Sequence, residues 1–290
     1  MNKNKRFRMA VQGAAALLQN ANFKGFFTGK IYEGNLKSVC VPGLNCSSCP
    51  GAAGSCPIGS LQNALSANKF RFPYYVLGLL IFFGAVLGRL VCGFLCPFGL
   101  LQDLLHKIPF PKKIKTFKGD KFLRKLKYAV LIVMVIILPL FVKLTPVFCK
   151  YLCPSGTVSG LLLALGDTTL FRLFGSRFAW KACVLGMIVL LSVVIYRPFC
   201  KYLCPLGAFY APFNKVAAVR IAVAGDKCIG CGACAEECGM GVDPSKTPNH
   251  TECIRCGDCI NRCPTKALRY TWPGADKTAG ATAPHTPDHP

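Results

Sequence analysis

Cys228-Ile-Gly-Cys231-Gly-Ala-Cys234-Ala-Glu-Glu-Cys238 and Cys253-Ile-Arg-Cys256-Gly-Asp-Cys259-Ile-Asn-Arg-Cys263-Pro264 share one spacing, C-x2-C-x2-C-x3-C. In this spacing three cysteines of a tight loop bind one iron–sulfur cube. The fourth, on the short helix that follows, reaches the other cube. Cys228, Cys231, Cys234 and Cys263 are therefore expected to hold one [4Fe–4S] cluster. Cys253, Cys256, Cys259 and Cys238 are expected to hold the second. Gly230, Gly232 and Gly257 let the backbone curl closely around a bulky core. Zinc would normally use two C-x2-C pairs set far apart, not four cysteines in eleven residues, twice.

The rest of the 290-residue chain is greasier and more basic than this segment. The chain is 52% hydrophobic, with mean hydropathy +0.41. Before residue 226 there are 28 Lys and Arg against four acids, Glu33, Asp103, Asp120 and Asp167. After it the two signs nearly balance. A net charge of +23 would also suit a nucleic-acid binder. Here the basic residues flank long apolar runs, so a membrane is the expected partner and nucleic acid is not. Nineteen cysteines would read as disulfides in a small secreted protein. Most of these fall in ligand spacings, and no cleavable signal pattern is expected. Cubane clusters oxidise easily, which favours an oxygen-poor compartment. The histidines are His106, His250, His285 and His289. None lies in a strong apolar run, so a bis-histidine haem within this chain is excluded.

Three apolar runs, Phe72 to Leu90, Tyr128 to Phe148 and Phe178 to Tyr196, predict strong membrane spans. Met9 to Phe27 carries Gln12, Gln19, Asn20, Asn22 and Lys24. It reads as a weak fourth span or an interfacial helix. Residues 101–127 hold nine Lys and Arg and two acids. The positive-inside rule puts that loop in the cytoplasm, and the iron–sulfur segment with it. The expected fold is an α-helical membrane domain over 1–211, with three strong spans and a weak N-terminal one. A small α+β ferredoxin-like domain with two [4Fe–4S] clusters follows over 220–271. A disordered tail is expected over 273–290.

The signature Cys-Pro-x-Gly occurs four times, at Cys56, Cys96, Cys153 and Cys204. Three copies have another cysteine four residues earlier: Cys92, Cys149 and Cys200. Such repetition reports a repeated structural unit. The proline ends the ligand loop and the glycine permits a tight turn. The copies fall at alternate ends of the expected spans. Cys92, Cys96, Cys200 and Cys204 would then share the inner face and hold one cluster. Cys149 and Cys153 would share an outer site with members of Cys40, Cys46, Cys49 and Cys56. One or two further clusters at the membrane edges are thus expected. The competing reading of each pair is a buried thiol or a disulfide. Cys183 has no partner spacing and reads as an ordinary apolar residue.

The cysteine-rich segment resembles bacterial two-cluster ferredoxins. It departs from them at Gly239, where their pattern has proline. With its C-x3-C-P motifs joined to that segment, the chain through residue 270 resembles the membrane polyferredoxins of the NapH and NosR type. The resemblance implies a multi-pass protein of the cell membrane with its ferredoxin domain in the cytoplasm. It implies an electron-transfer subunit of an oxidoreductase, quinol dehydrogenase-like. Such a subunit relays electrons between a quinone pool or soluble ferredoxin and a partner reductase. The third C-x3-C-P pair and the loop before Cys56 depart from the simpler pattern and leave the partner open. A metal-reducing assembly factor for a metalloenzyme and a redox sensor are the rival functions.

Overall fold

The apolar runs of this chain fold differently from one another: a glycine turn ends the first, a π-helical stretch interrupts the second, and the third is one long helix. A computed structural model describes residues 3–67, 73–111, 113–141, 145–166 and 175–272. The expected tail over 273–290, and Phe72 at the start of the first apolar run, lie outside the described residues.

Helices α1 (Lys3–Gln19) and α2 (Phe23–Thr28) precede the 40–57 loop, and α3 (Pro57–Ser66) follows it. Three similar units come next. The first is α4 (Tyr74–Leu87), α5 (Leu90–Phe94) and α6 (Pro97–His106). In the second, α7 (Asp120–Ala129) continues through a π-helical stretch, Val130–Ile137, into α8 (Leu138–Phe141). The one-turn α9 (Val147–Tyr151) and then α10 (Pro154–Gly166) complete it. The third unit is α11 (Ser176–Val194), α12 (Pro198–Tyr202) and α13 (Pro205–Tyr210). Strand β1 (Arg220–Val223) pairs antiparallel with β2 (Leu268–Thr271), in register from Arg220↔Thr271 to Val223↔Leu268. Between the strands lie α14 (Ala233–Glu237) and α15 (Asp258–Arg262).

The expected three strong spans and weak fourth are not what the chain forms. Among the described residues one helix, α11, is long and apolar enough to cross a membrane. Helix α4 has 14 residues, about 21 Å of rise against about 30 Å of hydrocarbon. It stops at Gly88, where φ is +56°. A Cβ there would stand 2.8 Å from both Arg255 Nη1 and Asn214 Oδ1. The chain therefore turns, and Arg89 enters the core with no exposed surface. In the second run the π-helical stretch ends just before Pro139, which has no N–H for the helical ladder. The next described helix is α9, at Val147. Helix α1 buries Arg8, Gln12, Ala15 and Gln19 on one face, against α5 and α6. A polar buried stripe suits a packed helix rather than one facing lipid. Hydropathy misled because a window average does not register the turn at Gly88 or the π-helical stretch of the second run.

One core contains Leu44, Cys56, Cys92, Cys96, Phe148, Cys153, Cys204 and Tyr210. The 40–57 loop thus packs with the Cys-Pro-x-Gly segments. It does not lie a bilayer's thickness away from Cys92 and Cys96, as alternating spans would require. A smaller core of Ile221, Cys234, Cys259 and Leu268 sits under the sheet.

Candidate functional site: four groups of cysteines

The segment between the strands encloses two cavities. One is lined by Cys228, Cys231, Cys234 and Cys263. The other is lined by Cys238, Cys253, Cys256 and Cys259. The same two groups follow from the spacing, each with three cysteines of one loop and the last cysteine of the other. Gly230, Gly232 and Gly257 have φ of +68°, +71° and +78°, the left-handed turns such loops need. Where the first loop has Gly230, the second has Arg255, at φ 53°. A non-glycine residue pays about 1–2 kcal/mol there. Its fully buried side chain offsets this by donating to Leu87 O at 2.9 Å and Asn214 O at 2.7 Å. Gly239, the departure from proline, faces Tyr196, whose ring would stand 2.6 Å from a Cβ there.

The third group joins the first and third units. Cys92 in α5, Cys96 before α6, Cys200 in α12 and Cys204 before α13 are all buried and act electrostatically on one another. Its construction is reciprocal. Arg89 precedes Cys92 by three residues, and Arg197 precedes Cys200 by three. Arg197 Nη1 donates to Cys92 O at 2.5 Å, and Arg89 Nη2 donates to Cys200 O at 3.3 Å. Each guanidinium has its own carboxylate. Arg197 grips Asp103 at 2.7 and 2.6 Å, and Arg89 meets Glu252 Oε2 at 2.9 Å. Glycine leaves room for both arginines: a Cβ at Gly99 would stand 3.1 Å from Arg197 Nη1, and one at Gly207 3.4 Å from Arg89 Nη2. Gln102 Nε2 donates to Cys200 Sγ at 3.1 Å.

The Cys-Pro-x-Gly signature acquires a local reason. Cys56, Cys96 and Cys204 are helix N-caps in extended backbone with proline in the first turn, where its missing N–H costs nothing. The glycine N–H then points back at the sulfur. Gly207 N donates to Cys204 Sγ at 3.4 Å. Gly59, Gly99 and Gly156 do the same for Cys56, Cys96 and Cys153. The partial positive charge of a helix N-terminus favours a thiolate there.

The remaining cysteines divide. Cys46, Cys56, Cys149 and Cys153 line a third cavity, together with Lys181. Cys40 and Cys49 do not line it. The Cys40 thiol donates instead to Ser60 Oγ at 3.5 Å. Cys183 is exposed on α11.

Burial and charge set the electrostatics. Burial pushes the Cys200 thiol up to about 11, Cys96 adds to this, and Arg197 opposes it. Four such thiols ionise together only against a compensating cation. Burial would raise Glu252, but Arg89 and then Lys127 hold it below the usual carboxylate range. Burial would likewise raise Asp103, and Arg197 and Arg8 hold it down. Lys127 is depressed to about 8 by burial and by Arg89, with Glu252 opposing. Among the described residues no three His, Cys, Asp or Glu stand close enough to hold one bare metal ion. That holds for the two ferredoxin-like cavities as well. Sulfurs around a single tetrahedral ion sit about 3.8 Å apart, given 2.3 Å bonds. Four cysteines around a cavity suit a larger inorganic core, and the donor set fits [4Fe–4S].

The groups are in contact. A Cβ at Gly93 would lie 2.4 Å from Ile254 O, so α5, which carries Cys92, rests directly on the Cys253–Cys256 loop. Tyr210 is fully buried within electrostatic reach of Cys92, Cys96 and Cys56, and its hydroxyl donates to Pro42 O at 3.3 Å. Arg8 donates to Tyr196 Oη at 3.1 Å, beside Asp103 and Asp258. The basic stretch over 101–127 also turns inward. Lys127 pairs with Glu252, and Arg124 Nη2 donates to Met240 O at 2.9 Å. Sequence reasoning took that charge as a topology signal and passed over Arg255 and Arg197. The available clues were an arginine replacing Gly230's counterpart and the repeated Arg-x-x-Cys.

Comparison with known proteins defines the class. A family described as a 4Fe-4S binding domain matches residues 71–118, 126–170 and 176–222, which are the three units. A second family of the same description matches residues 247–269. The chain carries 4Fe-4S binding domains and is homologous to the ferredoxin-type proteins named NapH and MauN and to the regulatory protein NosR. An uncharacterized protein of Methanocaldococcus jannaschii is 29% identical, over 74% of this chain and 77% of that protein. The putative electron transport protein YccM of Escherichia coli is 28% identical, over 68% of this chain and 55% of its own length. The ferredoxin-type protein NapH of Haemophilus influenzae is 26% identical, over 67% of this chain and 66% of its own. No solved structure matches.

Proposed function

We propose that this chain is a membrane-attached electron relay. In it Cys228, Cys231, Cys234 and Cys263 hold one [4Fe–4S] cluster, and Cys238, Cys253, Cys256 and Cys259 a second. Cys92, Cys96, Cys200 and Cys204 hold a third. A bound cluster supplies one-electron storage. The protein contributes spacing, dryness and charge. Gly93 sets the second and third groups against each other, and this close approach of Ile254 to α5 carries the reading. Arg89, Arg197 and the Gln102 amide surround the third group with positive charge and an N–H donor. These favour the added negative charge of reduction. Asp103 and Glu252 moderate that effect.

Membrane attachment rests on α11, with exposed Phe82, Phe141 and Leu190 on α4, α8 and α11 in support. The ferredoxin segment lies on the cytoplasmic side. The electron donor is a quinone pool or a soluble ferredoxin, and the acceptor is a partner reductase, in line with the ferredoxin-type and electron-transport names of the relatives. The test is iron per polypeptide in anaerobically purified, detergent-solubilised protein. Twelve or more irons are expected, roughly four per cubane. Loss of about four is expected in Cys92→Ser/Cys204→Ser. About eight irons, unchanged in that variant, refutes the relay through α5.

A further inference from the structure

The repeat pattern leaves one pair of cysteines without a counterpart. The first and third units complete each other: each gives a cysteine on a one-turn helix and a Cys-Pro-x-Gly cap, Cys92 with Cys96 and Cys200 with Cys204. The second unit offers the same half, Cys149 in α9 and Cys153 before α10, and no fourth unit exists among the described residues. The irregular 40–57 loop takes its place. Cys56-Pro57-Ile58-Gly59 repeats the cap, and Cys46 supplies the remaining cysteine of the cavity.

We infer that Cys46, Cys56, Cys149 and Cys153 form a fourth [4Fe–4S] site, and that Cys40 and Cys49 take no part in it. The inference rests on the relay reading above and extends it past Tyr210. Three further observations support it. Cys46, Cys56 and Cys153 all act electrostatically on Cys149, as members of one group do. Gly59 and Gly156 line the cavity, and a Cβ at either would stand 3.9 Å from the nearer sulfur, Cys149 Sγ or Cys153 Sγ. Gln62, fully buried in α3, accepts from Cys149 N at 3.3 Å and donates to Met134 O at 2.7 Å. This amide fixes the loop-derived half against the second unit. The charge differs from that of the third group. Two buried arginines flank that group, whereas Lys181 alone lines this cavity as a cation. Cys46 and Cys149 are only half-buried, so this site opens toward solvent.

The experiment is iron analysis joined to cysteine footprinting on the full chain, purified without oxygen in detergent. Wild type should carry about sixteen irons, four per cubane. Cys46→Ser/Cys56→Ser should lose about a quarter of them and keep the EPR signals of the reduced ferredoxin pair. Cys40→Ser/Cys49→Ser should lose none. Iodoacetamide on the wild type guards against misfolded variants. Cys46 and Cys149 should be protected while iron is bound and alkylated after chelation. Labelling of Cys46 and Cys149 in the iron-loaded protein overturns the site, as does iron loss on replacing Cys40 and Cys49. About twelve irons, lost only from Cys92→Ser/Cys204→Ser, removes the fourth site and spares the relay. About eight removes both.

Discussion

Gly93→Ala is the sharpest single test of how the cysteine groups are joined. The added methyl would lie 2.4 Å from the carbonyl oxygen of Ile254. A carbon–oxygen contact needs about 3.3 Å, so α5 and the Cys253–Cys256 loop must part by about 0.9 Å. Both sides are backbone in a packed core, and neither can swing away. Overpacking of this kind costs about 1–3 kcal/mol, or roughly 2–10 °C in thermal midpoint for a chain of this size. Electron tunnelling also fades steeply with distance, so transfer between the second and third groups should slow. The assay is anaerobic thermal unfolding, followed by freeze-quench EPR after addition of a limiting one-electron reductant. Gly78→Ala and Gly186→Ala are the controls, because a Cβ at either meets nothing within 4 Å. They should gain about 0.5–1 kcal/mol from helix propensity. If Gly93→Ala unfolds and equilibrates electrons as wild type does, the two groups are not in contact and the reasoning fails.

Three other outcomes are expected. Glu252→Gln leaves Arg89 and Lys127 buried without their carboxylate and should cost about 3–5 kcal/mol in urea unfolding, whereas Asp226→Asn on the exposed rim should cost almost nothing. Gln102→Leu removes the N–H donor at Cys200 Sγ; one net hydrogen bond is about 1 kcal/mol, so the third group's potential should fall by about 40 mV in a redox titration. Acid should destabilise the protein through Asp103 and Glu252. Both are held below their ordinary values in the fold, so their stabilisation is complete above about pH 4.5 and is lost as pH falls through the lower folded values. A thermal midpoint that stays level from pH 5 to pH 3 contradicts this.

Much of the cysteine grouping was legible in the sequence because loop geometry is local. C-x2-C-x2-C-x3-C leaves little freedom, and the two cavities of the ferredoxin segment gather the same cysteines as the spacing does. The nearness of Cys92 and Cys96 to Cys200 and Cys204 was expected from alternating spans, which the chain does not form, although the four lie within electrostatic reach of one another. The lining of one cavity by Cys46 and Cys56 rather than Cys40 and Cys49 was not legible, since an irregular loop has no period to read. The span count failed for a different reason. Hydropathy sums over a window, and it has no way to see that Gly88 ends a helix so that Arg89 and Arg255 can be buried. The inward use of Lys127 and Arg124 was hidden too, because a charge has the same sign whether it faces water or a carboxylate far along the chain.

The reciprocal arginines have a consequence for how the molecule is made. Neither the first nor the third unit owns a complete set of ligands, and the two are separated by about a hundred residues of chain. A cluster proposed at the third group would lock it only after Cys204 has been synthesised, and would staple the intervening second unit into a closed ring. A covalent link closing a ring of that length is worth about 4–5 kcal/mol against the unfolded chain. Such a core would then be a main restraint on the polypeptide, and its loss to oxygen would loosen the architecture along with the chemistry.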